Sequence, residues 1–460
     1  MIPCSIVFSV TGVLTIVGAW LLMAALPSMR EESRFARFVL GGVVGMAWHG
    51  LGVALAVALG APYALTTSIL VLGAAVGYAV AIGGRGVLAA PFSPRKASSL
   101  RGSSTHSHGP AIVVALVGLL AIGLAWHDGA GFIDARTIWM LKARVLAIDG
   151  GVGGSFFTDW HDWTERRSYP LLVPVHFGLH HLVRGGLDDA ALKIGHACVA
   201  LGVLLMVALR MTTRGAPQRA TFAVVVVAVS TISLTAAMWA NADVFVAVFT
   251  LAALEFADRA LEDGRPRGFV ALGIVLGALV ATKNEGVVPA VAIALVTIVR
   301  LRSRREHRAV AWFGVLVLAA PAMAHVAVWH EFVCRHGFVD SLWRQSVWPG
   351  VLSDGAVFRA RASDVLDRLV AELLSTRWLF VWPLGVGVAL ARPRRMLRAP
   401  ETLVVLAVLL ALVVLLLFVA RDPRWLQDTA VARVLSQVFP VAIVLVLVES
   451  SPRARTSAVG

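Results

Sequence analysis

Apolar runs recur from one end of this chain to the other, most of them long enough to cross about 30 Å of hydrocarbon as an α-helix. That feature limits the fold more than any motif does. Of the 460 residues, 58% are hydrophobic and only 15% charged, where a soluble domain carries about 25%. Mean hydropathy is +0.81. The chain reads as an all-α polytopic membrane protein, and no segment is long and polar enough to form a separate soluble domain.

The net charge of +14 therefore says nothing about nucleic acid; its distribution along the chain is what matters. Lys96, Lys142, Lys193 and Lys283 are the lysines, and the remaining basic residues are arginine, a bias that with abundant Ala, Val and Gly suggests a GC-rich bacterial genome. Cys4, Cys198 and Cys334 form neither metal-ligand spacing nor a disulfide framework. The N-terminal apolar run lacks a basic leader and is too long for a signal peptide, so it reads as a retained span.

Spans are expected near 5–27, 38–60, 62–82, 110–126, 188–209, 219–237, 243–259, 268–282, 285–301, 309–329, 376–391, 401–419 and 433–449, about thirteen in all. "YPLLVPVHFGLHHLV" (169–183) is short and starts at a proline, and reads as a juxtamembrane or re-entrant helix that does not cross. On that topology the segments "SMREESRFAR", "RMTTRGAPQR", "DRALEDGRPRG", "RLRSRREHR" and "RPRRMLRAP" share one side. Basic loops mark the cytoplasmic face. The other face collects two long loops, 127–187 and 330–375. Within the second, "SDVLDRLVAELL" is amphipathic, with Val365, Leu366, Leu369, Val370 and Leu373 on one side, as suits a helix lying on a membrane surface. Three N-terminal spans (1–83), a basic cytoplasmic linker (84–109), a core (110–450) and a cytoplasmic tail (451–460) make up the expected organisation.

The informative polar residues gather on the outer face. Asp128 and Asp134 follow the fourth span, and Asp243 opens the seventh. Lys283, Asn284 and Glu285 fill a tight turn, and Arg421, Asp422, Arg424 and Arg433 precede the last span. Ionisable residues at this depth are functional candidates, although short turns between spans need polar residues in any case. Tryptophans also favour that side, as an interfacial belt or a site that stacks sugar rings would explain. Glu255, in the inner half of its span, is placed to snorkel to the cytoplasmic surface.

An outward site with isolated carboxylates, arginines, a lysine and tryptophans suits a lipid-phosphate substrate. Displacing phosphate from an anomeric carbon needs a carboxylate to take the attacking hydroxyl's proton and cations to stabilise charge on the departing phosphate. Asp134 fits the first need, with a helix N-cap as its structural alternative. Lys283, Arg424 or Arg433 fits the second. Divalent-metal binding at His161, Asp162, Glu165, His176 and His180 stays open, but without zinc-type spacing, and no cofactor is called for. No nucleotide-binding motif occurs.

The motifs resemble a known family. "DARTIWMLKARVLAIDGG" (134–151), "SYPLLVPV" (168–175), "NADVFVAVF" (241–249), "ATKNEG" (281–286) and "DPRWLQDTAVARVLSQVFP" (422–440) resemble, in order and spacing, segments of bacterial polytopic glycosyltransferases. These are GT-C superfamily relatives of the dolichyl-phosphate-mannose protein mannosyltransferases, of the glycosyltransferase family 39 type. The resemblance spans about 110–450. It implies a GT-C-like fold in the bacterial inner membrane, with Asp134 as catalytic base and a polyprenyl-phosphate-linked sugar as donor. It also implies an acceptor glycan, lipid or protein on the periplasmic side. Lys283, Arg433, Arg424 and Lys142 would then serve the donor phosphate, with Asp243, Asn284, Glu285, Tyr169, Trp139 and Trp425 shaping the site. Two departures stand out: Ala135 follows Asp134 where many members carry a second acid, and Leu426-Gln427 replaces an expected His-Leu.

Trp139 is expected to anchor the 134–151 helix on the outer leaflet, with Arg136, Lys142 and Arg144 facing headgroups or phosphates. The alternatives are a transporter or lipid flippase, or a surface-polysaccharide ligase or polymerase using Arg433 and His176. Asp134→Asn is expected to abolish sugar transfer while the protein stays folded in the membrane. Wild-type turnover by that variant would remove Asp134 as the base.

Overall fold

The computed structural model describes residues 32–70, 109–127, 135–158, 168–187, 189–230, 240–264, 268–303, 308–338, 348–419 and 430–451, with Leu14 and Gly18. All secondary structure among them is helical. We number the principal helices α1 (Arg34–Ala58), α2 (Gly109–His127), α3 (Leu141–Asp149), α4 (Leu172–Arg184), α5 (Asp189–Thr213) and α6 (Ala220–Val229). They continue as α7 (Asp243–Asp263), α8 (Gly268–Thr282), α9 (Val287–Ser303), α10 (Arg308–Arg335) and α11 (Gly355–Leu373). The last three are α12 (Val381–Ala391), α13 (Pro400–Val414) and α14 (Ala432–Glu449).

Among the described residues, six helices are long and apolar enough to cross a membrane: Phe35–Ala58, Asp189–Thr213, Asn284–Ser303, Gly314–Arg335, Pro400–Phe418 and Ala432–Glu449. Pro217–Val229, Gly268–Thr282 and Val381–Ala391 are shorter apolar helices. The expected spans at 5–27 and 62–82, and the linker 84–109, fall largely or wholly outside the described residues.

α7 is the axis of the bundle. Every residue from Asp243 to Ala257 is buried, and α5, α8, α9 and α14 all pack on it. A helix apolar on every side is stable only when surrounded by others. α8 is nearly as enclosed, and Gly273 lets α10 approach it closely: a Cβ there would sit 2.6 Å from the Val317 carbonyl oxygen. Small residues at such crossings gain packing contacts that lipid cannot replace. α1 packs against α4, α5, α7, α8 and α10, so the N-terminal helix is built into the same core as the helices after the linker.

α4 has 13 residues and is about 20 Å long, too short to cross. It is not a surface helix either, because every residue from Ser168 to His181 is buried among α1, α3 and α5. α11 forms over the stretch read as amphipathic, but the face expected from its sequence is split. Val365 and Leu369 are buried, whereas Leu366 and Val370 are exposed.

The arginine-rich connections meet at one end of the bundle. There the buried Arg210 guanidinium binds Glu255 at 3.0 Å, Asp258 at 2.7 Å and Glu401 at 2.8 Å. Arg214 lies 3.4 Å from Glu401 and 3.6 Å from Glu449, and Arg300 bonds Asp258 at 3.1 Å. Glu255 therefore does not snorkel. It is 1% exposed and also accepts hydrogen bonds from Thr213 and Arg259. Snorkelling needs an unpaired charge seeking water, and three donors already meet this one. Removing the central cation of such a group takes from three carboxylates the partner they share, so Arg210→Ala is expected to destabilise the protein by about 3–5 kcal/mol. A detergent-solubilised sample should show a markedly lowered melting temperature, and an unchanged one would refute the role.

Candidate functional site

Of the residues singled out by sequence, Asp128, Asp134, Arg421, Asp422, Arg424 and Trp425 lie outside the described residues, as do His161, Asp162 and Glu165. The others fall into two neighbouring groups, which the first turns of α4 and α7 bring into contact.

The first group is built on residues 135–184. A π-helical turn, Ala135–Met140, runs into α3. The indole of Trp139 is fully buried and stacks on Tyr169, with ring centroids 5.5 Å apart. Lys142 is 1% exposed, and its ammonium donates to the Tyr169 carbonyl at 2.7 Å. The interfacial placement expected for these two side chains is corrected: both point into the protein and hold the Tyr-Pro segment. Arg136 is exposed, and Arg144 pairs with Asp189. Further donors fix the same segment. Trp329 Nε1 donates to Ser168 O at 2.8 Å, and the Tyr63 hydroxyl donates to Val175 O at 2.6 Å. His176 Nε2 lies 2.9 Å from the Met46 carbonyl, which can only accept, so that nitrogen carries the proton. Among the described residues, no group of three or more His, Cys, Asp or Glu side chains could hold a metal ion.

The second group lies at the start of α7. Ala240 adopts a positive φ of 48°, a conformation that costs energy for any residue with a Cβ. The Asn241 side chain then accepts the Asp243 N–H at 3.1 Å, an Asx turn that starts the helix. This sets the Asp243 carboxylate in the first turn, where the helix dipole favours negative charge. The carboxylate is 1% exposed and meets donors from two other parts of the bundle. Oδ1 accepts from Lys283 Nζ at 3.0 Å and from Gln437 Nε2 at 2.6 Å, and Oδ2 accepts from Arg433 Nε at 3.0 Å.

Lys283 arrives from the turn between α8 and α9. It is extended, with φ −162° and ψ 151°, and precedes a single 3₁₀ turn, Asn284–Gly286. Gly286 permits the turn to fold back on α8, since a Cβ there would lie 2.1 Å from Leu279 O. Asn284 is exposed, and Glu285 Oε1 lies 3.3 Å from Lys283 Nζ. Arg433 and Gln437 come from one face of α14, a helical turn apart. Gln437 had no role in the sequence reading; its i+4 spacing from Arg433 was the available signal.

Packing ties the groups together. Phe245, one residue beyond Val244 on α7, stacks on His176 at 5.7 Å and meets Phe177 edge-on at 6.1 Å. The segment fixed by Trp139 and Lys142 is thus seated directly against the turn that carries Asp243.

Residues 169–329 match the family model described as dolichyl-phosphate-mannose-protein mannosyltransferase. The match runs from Tyr169 to Trp329, about a third of the chain, and takes in Asp243, Lys283 and Glu285. It bears out the resemblance read from the motifs: this segment is similar to a GT-C-type family of membrane glycosyltransferases. Comparison with curated proteins and with solved structures finds no match.

Asp243→Asn would replace an acceptor of three donors with an amide that itself donates. Lys283 and Arg433 would lose the carboxylate charge they share, and a loss of about 3–5 kcal/mol is expected. Thermal unfolding of the purified variant measures it, and wild-type stability would contradict the geometry.

Proposed function

We propose that this protein is an integral-membrane glycosyltransferase that moves a sugar from a polyprenyl-phosphate carrier to an acceptor on the outer face of a bacterial inner membrane. The observation that carries this reading is the buried Lys283–Asp243–Arg433 constellation. It is built largely within the family-matched segment, at the end of α7 opposite the arginine-rich connections.

In direct displacement the acceptor oxygen bonds to the anomeric carbon while the bond from that carbon to the phosphate oxygen breaks. The electron pair leaves on the polyprenyl phosphate, and the acceptor's proton passes to a carboxylate, for which Asp134 is our assignment. Lys283 and Arg433 meet the charge that grows on the departing oxygen. Asp243 is unsuited to be the base because both of its oxygens are already committed to donors. Its part is to aim the two cations. Lys142, Tyr169 and Trp139 shape the site by fixing the Tyr-Pro segment.

Transport fits less well. A carrier needs polar groups near the bilayer midplane. Between Asp243 and Glu255, α7 buries apolar residues and a single threonine, Thr250, whose hydroxyl bonds the Val246 carbonyl.

The test is sugar release and transfer by the purified protein in lipid nanodiscs, using a panel of polyprenyl-phosphate sugars. Lys283→Met and Arg433→Gln are each expected to lower kcat/KM by about 10²- to 10³-fold. A wild-type protein that turns over no member of the panel would overturn the reading.

A further inference from the structure

Glu285 holds the one carboxylate oxygen of this constellation that has no donor among the described residues. Its Oε1 faces Lys283 at 3.3 Å, whereas Oε2 is shut off from solvent and bonded to nothing described. The side chain as a whole is 28% exposed, so the group stands at the edge of the buried cluster, where rotation about its terminal bond turns Oε2 towards an incoming ligand. A shielded acceptor without a donor costs free energy. A ligand that brings an O–H would satisfy it.

We infer that Glu285 is a specificity-determining residue whose Oε2 accepts a hydrogen bond from a hydroxyl of the transferred sugar. This rests on the proposed reading of Lys283 as a phosphate-binding cation. Phosphate leaves from one side of the anomeric carbon, and the acceptor hydroxyl attacks from the opposite side. A carboxylate 3.3 Å from the cation that holds the leaving group lies on the leaving side, so it cannot take the nucleophile's proton in line. It is well placed for a hydroxyl of the sugar attached to that phosphate. The rigid 3₁₀ turn, with Lys283 and Glu285 two residues apart and Gly286 closed onto α8, holds the two side chains at a set separation. Phosphate and one sugar hydroxyl are then read together.

The experiment compares kcat/KM for the polyprenyl-phosphate sugar that wild type uses best with its monodeoxy analogues, in wild type and Glu285→Ala. Wild type should lose about 10- to 100-fold on one deoxy analogue, the range for a hydrogen bond to a charged group. In Glu285→Ala that contrast should collapse towards unity, with the parent sugar slowed and that analogue unchanged. Glu285→Gln, which keeps shape and loses charge, should give an intermediate contrast and serves if the alanine variant does not fold. An unchanged contrast at every position, or equal loss on all donors, would overturn the assignment of Glu285 alone. Absence of turnover by wild type with any donor would overturn the glycosyltransferase reading and this assignment with it.

Discussion

The Asp243 carboxylate decides how three parts of the bundle meet. It has no water to turn to, and its desolvation is offset by an ammonium, a guanidinium and an amide that arrive from the α8–α9 turn and from α14. Buried ion pairs of this kind add little net stability compared with apolar packing, yet removing one partner is costly. The geometry is therefore enforced mostly by penalty: a shift of α14 by one turn, or a different closure of the Lys-Asn-Glu-Gly turn, would strand a charge in the interior. A catalytic constellation needs that exactness of position more than it needs added stability.

The other end of α7 repeats the logic with the charges reversed. There one cation, Arg210, is met by three carboxylates from α7 and α13. Between the ends the helix is apolar and enclosed. Asp243 and Glu255 are twelve residues apart, about 18 Å along the axis, so each cluster penalises sliding of α7 in one direction. The arginine-rich connections at the Arg210 end follow the charge bias that sequence reading assigned to the cytoplasmic side. The Asp243 constellation lies at the opposite end of α7.

Hydropathy made the membrane class legible, because a run of apolar residues has few other destinations. The Asn-Ala-Asp and Lys-Asn-Glu-Gly segments were legible as separate candidates because ionisable residues at span ends are scarce, whereas the pairing of Asp243 with Lys283 came only from the structure. What sequence could not show is where long amphipathic side chains point. Trp139 and Lys142 have the composition of an interfacial anchor, and only the packing of α3 against α4 turns them inward onto Tyr169. Glu255 looked isolated for the same reason: Arg259 lies one turn along its own helix, but Arg210 and Thr213 on α5 are brought to it by tertiary structure. Gln437 was missed because its only signal was its i+4 spacing from Arg433, and nothing in a lone glutamine on an apolar helix names Asp243 as its partner.

Charge balance explains why such a cluster suits transfer better than tight binding. Lys283 and Arg433 are matched by Asp243 and Glu285, so the constellation is near neutral before a substrate arrives. A donor phosphodiester carries a single negative charge, and cations already shared with Asp243 attract it only moderately. On the proposed mechanism, a second charge grows on the leaving oxygen as the bond to the sugar breaks, and the same fixed cations would respond to it without having to reorganise. The interaction strengthens most where the transition state differs from the ground state, which is the condition under which binding energy accelerates a reaction. On this view Asp243 acts as a governor. It keeps two cations aligned in a dry interior while preventing them from holding the product phosphate too firmly to let it go.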